Sequence, residues 1–467
     1  MYLAKLVVDG GGVEIVLEGP GAAAPFKACL AQAQEHAPVG LTGAVGLTGV
    51  VGLPGDWVDE NWELTLAGTP ASIYAGLSQL ESCLLRARSY AGGIGDYPVA
   101  LLIQPAADQD AWQSLVLDGR VESLGRGAED VRRGQAGFRL RLRRLNCWEK
   151  TTTYQVLLSN SAAARQPAVT VYNHDDSTAG HDAYVDIAAS DVNNGGDLPS
   201  PAALIVKNTY NTANGLDRLY VGLNANGGPG TAAVQLEAEA AAGGTTLSDA
   251  ACSGGSYKSV SLTGSTAVKL LTWTLTPAQA RAAAGYPFRF FLRQQASFAY
   301  TDLLLRLAAA VPGLTNPVFE GPWVLGDPTL DVQDLGQARI PPYPYLTANL
   351  LQSMELQLWG RKDTAGTYTL NLDYLAVLAA ESFRTYRAIN PLPYNWYLGD
   401  DGIKRRLASW DSNAFQLVTH AAYGAPLELW PNQAQRLQFL MVGANLSSAV
   451  DRTLQVYLYY RPRRRVI

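Results

Sequence analysis

The sequence predicts a mainly β protein: a β-domain with one packed helix, plus an inserted jelly-roll or β-sandwich domain. Three observations carry this. Between residues 56 and 150, two-residue alternation of apolar and polar side chains brackets a single stretch of helical periodicity. From Tyr154 to about residue 380, short apolar runs recur between clusters of Asn, Asp, Gly and Ser, the spacing of a sandwich. From residue 381 onward the texture changes again, to turns followed by a hairpin pattern at Leu427–Val442 and a final strand at Leu454–Tyr460. The expected division is therefore 1–153 for the N-terminal part of the first domain, 154–380 for the insert, and 381–467 for the part that completes the first domain. A chain of 467 residues has length for about three domains. Insertion at a loop tip is cheap, because loop-closure entropy grows only slowly with length.

Leu3 to Val8 and Val13 to Leu17 flank Gly10-Gly-Gly12 as a hairpin. Residues 22–38 are alanine-rich, and a short helix ending at Pro38 is expected. Gly40-Leu-Thr-Gly-Ala-Val, Gly46-Leu-Thr-Gly-Val-Val and Gly52-Leu-Pro-Gly55 form a small repeat too rich in glycine for a helix. An arm on a neighbouring subunit and a surface loop or hairpin both fit it. Trp62, Leu64 and Leu66 alternate with Glu63 and Thr65 as a half-buried strand. Thr69-Pro70 then caps a helix whose apolar stripe is Ile73, Leu77, Leu80 and Leu84, with Arg86 and Arg88 near its negative end and Gly92-Gly93 as its stop. Val99 to Ile103 and Trp112 to Leu117 read as strands, the second turned by Asp118-Gly119, and Phe138 to Arg143 alternates strictly.

In the insert, strands are expected at Ala183–Ile187, Ala203–Lys207, Leu219–Leu223, Ala233–Glu237, Val260–Leu262, Leu270–Leu275, Phe288–Arg293, Met354–Leu358 and Tyr368–Leu378. Thr276-Pro277 opens a one-helix interruption. Beyond it, Pro391-Leu-Pro393 and Gly399-Asp-Asp-Gly402 read as turns, Leu427–Trp430 with Leu437–Val442 as a hairpin, and Leu454–Tyr460 as the final strand.

The first block resembles the tail-tube-like domain of phage tail proteins, above all the N-terminal part of siphophage distal tail proteins. The residues that carry the resemblance are Trp62-Glu-Leu-Thr-Leu-Ala-Gly68, Leu80-Glu81 with Leu84-Leu-Arg-Ala-Arg88, Trp112 with Asp118-Gly119, and Trp148-Glu149. Leu437 to Val442, Leu454 to Tyr460 and Arg461-Pro462-Arg463 resemble the closing strands of the same family. Leu236-Glu-Ala-Glu239, Ser253-Gly-Gly-Ser-Tyr257 and Leu370-Asn-Leu-Asp-Tyr-Leu375 resemble the galactose-binding-like sandwiches of carbohydrate-binding modules.

Together these resemblances imply a tail-tube-like domain carrying an inserted sandwich, in a structural virion protein of a siphophage tail. It would form a distal tail or baseplate hub ring, a hexamer first and a trimer as the alternative, joining the tail tube protein to tail-tip and hub proteins. The sandwich would contact host-surface glycan, and aromatics near its loops would stack on sugar. Its first motif makes Glu237 or Glu239 candidates for a structural calcium, the one cofactor implied. The expected place is the virion tail, after assembly in the host cytoplasm. A threefold tail-tip or minor tail subunit is one alternative; a free carbohydrate-binding protein or glycan hydrolase is another.

Composition narrows the classes. Charged residues make up 16% of the chain, below the ~25% of an average soluble protein, as suits a subunit buried in an assembly and equally a plain β-rich protein. A net charge of −5 argues against a general or sequence-specific nucleic-acid binder. Cys29, Cys83, Cys147 and Cys252 lie too far apart for a zinc site or a disulfide framework. No basic leader or apolar run near ~20 residues stands out, so neither a signal peptide nor membrane insertion is expected.

H-E-x-x-H, G-x-S-x-G and phosphate-loop motifs are all missing, so no catalytic residues are nominated and an enzyme is not expected. His174-Asp175-Asp176 with His181-Asp182 crowds metal-ligand types together, which makes His174 and Asp176 metal candidates; an Asx-rich turn explains the same residues. Arg139, Arg141 and Arg143 share one side of a strand, where they would pair with carboxylates of a neighbouring subunit or form a solvated face. Arg461 and Arg463 are candidates for the same contact, or belong to a disordered charged end.

Overall fold

The computed structural model describes residues 3–8, 13–18, 26–36, 57–92, 97–124, 128–176, 180–211, 214–224, 235–283, 285–298, 300–312, 316–339, 353–402, 406–411, 415–416 and 420–465. The protein is mainly β, with antiparallel sheets throughout. It divides into two units: residues 1–153 with 195–198 and 461–467, and residues 154–194 with 199–460.

The first unit contains β1 (Leu3–Val8), β2 (Val13–Glu18), β3 (Phe26–His36), β4 (Trp57–Ala67), α1 (Pro70–Ala91), β5 (Val99–Gln104), β6 (Trp112–Leu124), α2 (Ala128–Arg132), β7 (Gln135–Leu145) and β8 (Trp148–Lys150). The sheet order is β2-β1-β5-β6-β7-β4-β3, and the edge strands β2 and β3 approach each other, curling the sheet toward a barrel. Thr69 caps α1 by accepting the Ser72 amide at 3.2 Å. Ile73, Leu80, Leu84 and Ala87 are buried with Trp62, Val99 and Leu140, while Leu77 is only partly covered. The expected stripe therefore faces the sheet.

Two local expectations give way to tertiary contacts. The alanine-rich stretch is not a helix: Phe26–His36 is a strand paired along β4 from Phe26 opposite Leu66 to His36 opposite Trp57. A strand edge offers a full row of backbone partners, which outweighs a helix propensity of a few tenths of a kcal/mol per residue. Asp118-Gly119 is not a turn either, because β6 runs through it with a register shift between Val116 and Asp118. Gly119 is needed for close approach: a Cβ there would lie 2.6 Å from Leu84 Cδ2 and 3.0 Å from the Arg141 carbonyl. The Gly10–Gly12 turn and the repeat at Gly40–Gly55 lie outside the described residues.

The second unit is one sandwich nested inside another. Its opening strands are β9 (Tyr154–Gln155), β10 (Leu158–Ser159), β11 (Val169–Tyr172), β12 (Tyr184–Ile187), β13 (Ser200–Asn208) and β14 (Leu216–Asn224). The inner strands follow: β15 (Gln235–Glu237), β16 (Thr245–Ser248), β17 (Ser256–Thr263), β18 (Val268–Leu275), then α3 (Pro277–Ala283), β19 (Pro287–Gln294), β20 (Leu303–Ala310), β21 (Phe319–Glu320), β22 (Val324–Leu325), β23 (Val332–Arg339), β24 (Met354–Lys362) and β25 (Thr367–Ala379). The chain then completes the outer sandwich with β26 (Ser382–Leu392), β27 (Tyr397–Asp401), β28 (Arg406–Trp410), β29 (Phe415–Gln416), β30 (His420–Gly424), β31 (Glu428–Leu429), β32 (Gln435–Gly443) and β33 (Thr453–Tyr460).

The outer sheets run β10-β12-β32-β14-β26-β30 and β11-β33-β13-β27-β28-β29; the inner ones run β16-β17-β25-β19-β23 and β18-β24-β20-β21. α3 carries a capping box, in which the Thr276 amide donates to Gln279 Oε1 at 2.9 Å and the Gln279 amide to Thr276 Oγ1 at 3.3 Å.

This corrects the expected division. Residues 382–460 do not complete the first unit; their strands pair with β12, β13 and β14. Only the last residues return, with Arg463–Arg464 paired to β8 and the Lys150 amide donating to the Pro462 carbonyl at 2.9 Å. Alternating patterns show that a strand has a buried face but not which sheet supplies it. For the same reason the expected hairpin at 427–442 is not one: β31 pairs with β13, and β32 lies between β12 and β14.

Leu80→Ala should destabilise the protein by about 2–5 kcal/mol through lost burial and a residual cavity, whereas exposed Gln79→Ala should cost less than about 0.5 kcal/mol. Denaturant midpoints give both values. Tyr220, Phe291, Tyr374, Leu440 and Val442 form a core shared by the inner and outer sandwiches. Phe291→Ala should therefore cost about 3–5 kcal/mol and lower the calorimetric transition of both together. Two separable transitions, only one of them moved, would show that the sandwiches unfold independently.

Candidate functional site

Sequence alternation places Arg139, Arg141 and Arg143 on the outer face of β7, with Leu140 and Leu142 inward, as expected. The neighbouring strands supply acids on the same face. Asp59 and Glu63 of β4 lie opposite Arg143 and Arg139, while Glu122 of β6 also lies opposite Arg139. Arg143 grips Asp59 with two parallel bonds, 2.8 Å from Nε and 2.9 Å from a terminal nitrogen. Arg141 reaches Glu122 at 3.0 Å, and Arg88 from the last turn of α1 reaches Asp118 at 2.8 Å. Asp59, Arg88, Asp118, Arg120 and Arg141 line a cleft of about 370 Å³. The structure thus brings the three arginines together but gives two of them partners in their own chain. Exposed pairs of this kind contribute ~0–1 kcal/mol each; their effect is to fix a patterned charge surface.

The opposite face of the same strands carries a pair that sequence reasoning missed. Buried Glu60 accepts from Arg144 Nε at 2.8 Å and from Trp62 Nε1 at 3.0 Å. The signal was parity: Glu60 shares the inward phase of Trp62, Leu64 and Leu66. The C-terminal arginines also bind at home. Arg461 Nε donates to Thr153 Oγ1 at 3.0 Å, and Arg463 Nε to Glu149 Oε1 at 2.6 Å. They close the first unit instead of forming a loose end.

The histidine cluster is likewise spent on protein partners. His174 Nδ1 sits 2.7 Å from the Val450 carbonyl, to which it donates, and its Nε2 faces His181 Nδ1 at 3.1 Å. In that tautomer both nitrogens are used, and burial holds the imidazole below its ordinary pKa. Asp176 joins His181 through paired backbone bonds of 2.8 and 2.9 Å. Among the described residues no group of three His, Cys, Asp or Glu is placed to hold a metal ion. Of the two adjacent carboxylates expected in a turn, Asp400 lies within β27 and is buried, accepting from Arg384 at 2.7 Å and Tyr386 at 2.8 Å.

Glu237 and Glu239 sit at the end of β15. Glu237 Oε1 accepts from Ser253 Oγ at 2.8 Å and from the Gln235 amide. Its Oε2, and Oε2 of Glu239, are sealed from solvent with no hydrogen-bond donor. Orphaned carboxylate oxygens are the condition that a hard cation relieves, so this pair fits the calcium expectation better than His174 and Asp176 do. Beside it, buried Asp373 takes the Ser253 amide at 3.0 Å and an ion pair from Arg293. Burial pushes the Glu237 carboxyl up to about 7.

No family model matches the chain, and no curated protein matches it. Among solved structures, one similar chain is the SPP1 Dit (gp 19.1) protein, described as a paradigm of the hub adsorption apparatus in phages that infect Gram-positive bacteria. It is 10% identical, with a TM-score of 0.24 over 99% of each chain. The VP2 subviral particle of infectious bursal disease virus is 9% identical, with a TM-score of 0.17 over 57% of this chain and 66% of that one. The GH31 alpha-xylosidase Xac1773 from Xanthomonas citri is 9% identical, with a TM-score of 0.16 over 78% of this chain and 32% of that one. Scores of this size leave the role to be read from the chain's own residues.

The raised Glu237 carboxyl sets a pH dependence. A group that binds its proton more tightly when folded contributes stability below its unfolded pKa, here 4.5, and loses it as pH climbs through about 7. Wild-type midpoints should therefore fall between those values, and Glu237→Gln should flatten the slope. An unchanged slope would place the titration elsewhere.

Proposed function

We propose that the protein is a structural subunit of a phage tail, of the distal tail kind. Its first unit assembles with copies of itself into a ring, sixfold by preference, between the tail tube and the tip. Its second unit bears a surface for host glycan. The work of the molecule is assembly and positioning, not catalysis. The observation that carries this reading is the element order of the first unit from Trp57 to Lys150: long strand, capped helix, then strands, around one core that includes Trp62 and Leu80. That order is the one the resemblance to distal tail proteins implies. The patterned face of β4, β6 and β7 supports it, because cations and anions held at fixed positions can meet a complementary copy. Within that face, Arg139 has no ion pair among the described residues.

A calcium ion at Glu237 and Glu239 belongs to the same reading. Millimolar calcium should raise the unfolding midpoint of the wild type at about pH 8 and leave Glu237→Gln unmoved. Equal response of the two proteins would remove calcium from the account.

Light scattering coupled to chromatography, with negative-stain microscopy, tests the ring. The expected result is a closed oligomer that Arg139→Gln weakens without lowering the unfolding midpoint. A monomer at high concentration, with no rings even beside tail tube protein, would overturn the assembly reading.

A further inference from the structure

We propose that the outer face of the inner sandwich's β18-β24-β20 sheet binds an acidic glycan, with Trp323 as stacking surface and Arg361 as anion contact. The inference deepens the glycan part of the function above and is independent of the ring. Strand parity builds the face. Leu303, Leu305 and Leu307 of β20 and Leu356 and Leu358 of β24 point into the core, which leaves Arg306, Trp359 and Arg361 outward. In the ladder Arg306 lies opposite Trp359, and Leu304 lies opposite Arg361 on one side and Leu325 on the other.

The parts are held in place before any ligand arrives. Trp359 Nε1 donates to Gln357 Oε1 at 3.2 Å, and Gln357 Nε2 in turn donates to Glu355 Oε2 at 2.8 Å. Arg306 is committed, with two nitrogens on Glu320, each at 2.9 Å. Both Arg306 and Arg361 lie over the Trp323 ring, at 4.7 and 4.8 Å from its centre.

Arg361 differs from its neighbour in one respect. The Nε of both is sealed from solvent without a partner, but Arg306 has Glu320, whereas no carboxylate or carbonyl accepts from Arg361 among the described residues. A partly buried guanidinium held against an indole, with no anion of its own, is an unfinished ion pair. Leu325, 59% exposed, extends the apolar surface beside it.

Indole and leucine suit the C–H face of a sugar ring, and Arg361 suits a carboxylate or phosphate carried on that ring. Among the described residues this face offers Arg361 and the exposed Lys269 opposite Trp359, too few cations for a nucleic-acid backbone, whose binding is driven by several phosphate contacts at once.

The full-length protein, immobilised, would be exposed to polyglycerol phosphate, polygalacturonate, neutral dextran and single-stranded DNA at physiological salt. Binding to one or both acidic glycans is expected, and which of them binds identifies the anion. R361Q should weaken it about tenfold, the scale of one charge-assisted hydrogen bond, and R361K less. W323A should weaken it comparably; R361Q, an uncharged polar replacement on the outer face of the sheet, keeps the test valid if W323A fails to fold. Undiminished binding by folded R361Q, or equal binding of DNA, would overturn the proposal. Binding of dextran alone would overturn it while leaving a glycan role at another surface. No glycan binding at all would remove both glycan readings and leave assembly standing.

Discussion

The second unit depends on one strand pairing. β14 and β26 are hydrogen-bonded neighbours, with Leu223 opposite Ser382 and Leu216 opposite Leu392, and the whole inner sandwich lies between them in sequence. The chain leaves a finished ladder and re-enters it at the adjacent position. A folded insert costs such a ladder little, because its own termini already lie together and loop-closure entropy rises only logarithmically. The junction is tight nonetheless. Gly222 faces the Ala379 carbonyl so closely that a Cβ would collide with it, and the Ala379 amide donates to Gln438 at 2.6 Å.

Contacts beyond the junction make the nested sandwiches one body. Asn173 stands in for a missing strand partner, donating to the Met441 carbonyl at 2.8 Å and accepting the Met441 amide at 2.7 Å. Its own carbonyl takes the Tyr374 hydroxyl at 2.7 Å, from the inner sandwich. Arg293 joins Asp373 of the inner sandwich to the Ser448 carbonyl of the outer one, at 2.9 Å. A buried ion pair adds little net stability, but removing one partner leaves a charge with no solvent. Such groups tolerate one relative arrangement of the two sandwiches and penalise others.

The charged groups fall into three kinds with different uses. Glu60–Arg144 and Arg384–Asp400 are enclosed and satisfied, and they specify packing. The ladder of Asp59, Glu122, Arg141 and Arg143 is exposed and satisfied, which fixes a surface pattern at low energetic value. Glu237, Glu239 and Arg361, like Arg306 and Arg452, each have a sealed polar atom without a partner; calcium is the candidate ligand for the first two and an acidic glycan for Arg361. Unsatisfied atoms carry a standing cost, which a bound ion or ligand can relieve.

Local chemistry determined the mainly β class, the capped helix with its Ile73–Leu84 stripe, the outward arginines of β7 and the capping box at Thr276, because each depends on residues within one or two turns or on strand parity. The sequence also indicated that a large segment is inserted. Tertiary structure decided which sheet each strand joins. Residues 382–460 carry strand-like runs such as a returning tail-tube domain would, yet β13 and β14 supply their partners, a choice made by long-range packing that no local period encodes. It turned an alanine-rich stretch into a strand, because β4 offered a backbone edge, and it ran Asp118-Gly119 through β6, paired to Arg143 and Leu142 just after a register shift, where Leu84 of α1 packs against Gly119. The orphaned oxygens at Glu237 and Glu239 and the unpaired Arg361 were invisible for the same reason. Whether a polar atom has a partner is a property of what distant segments bring to it.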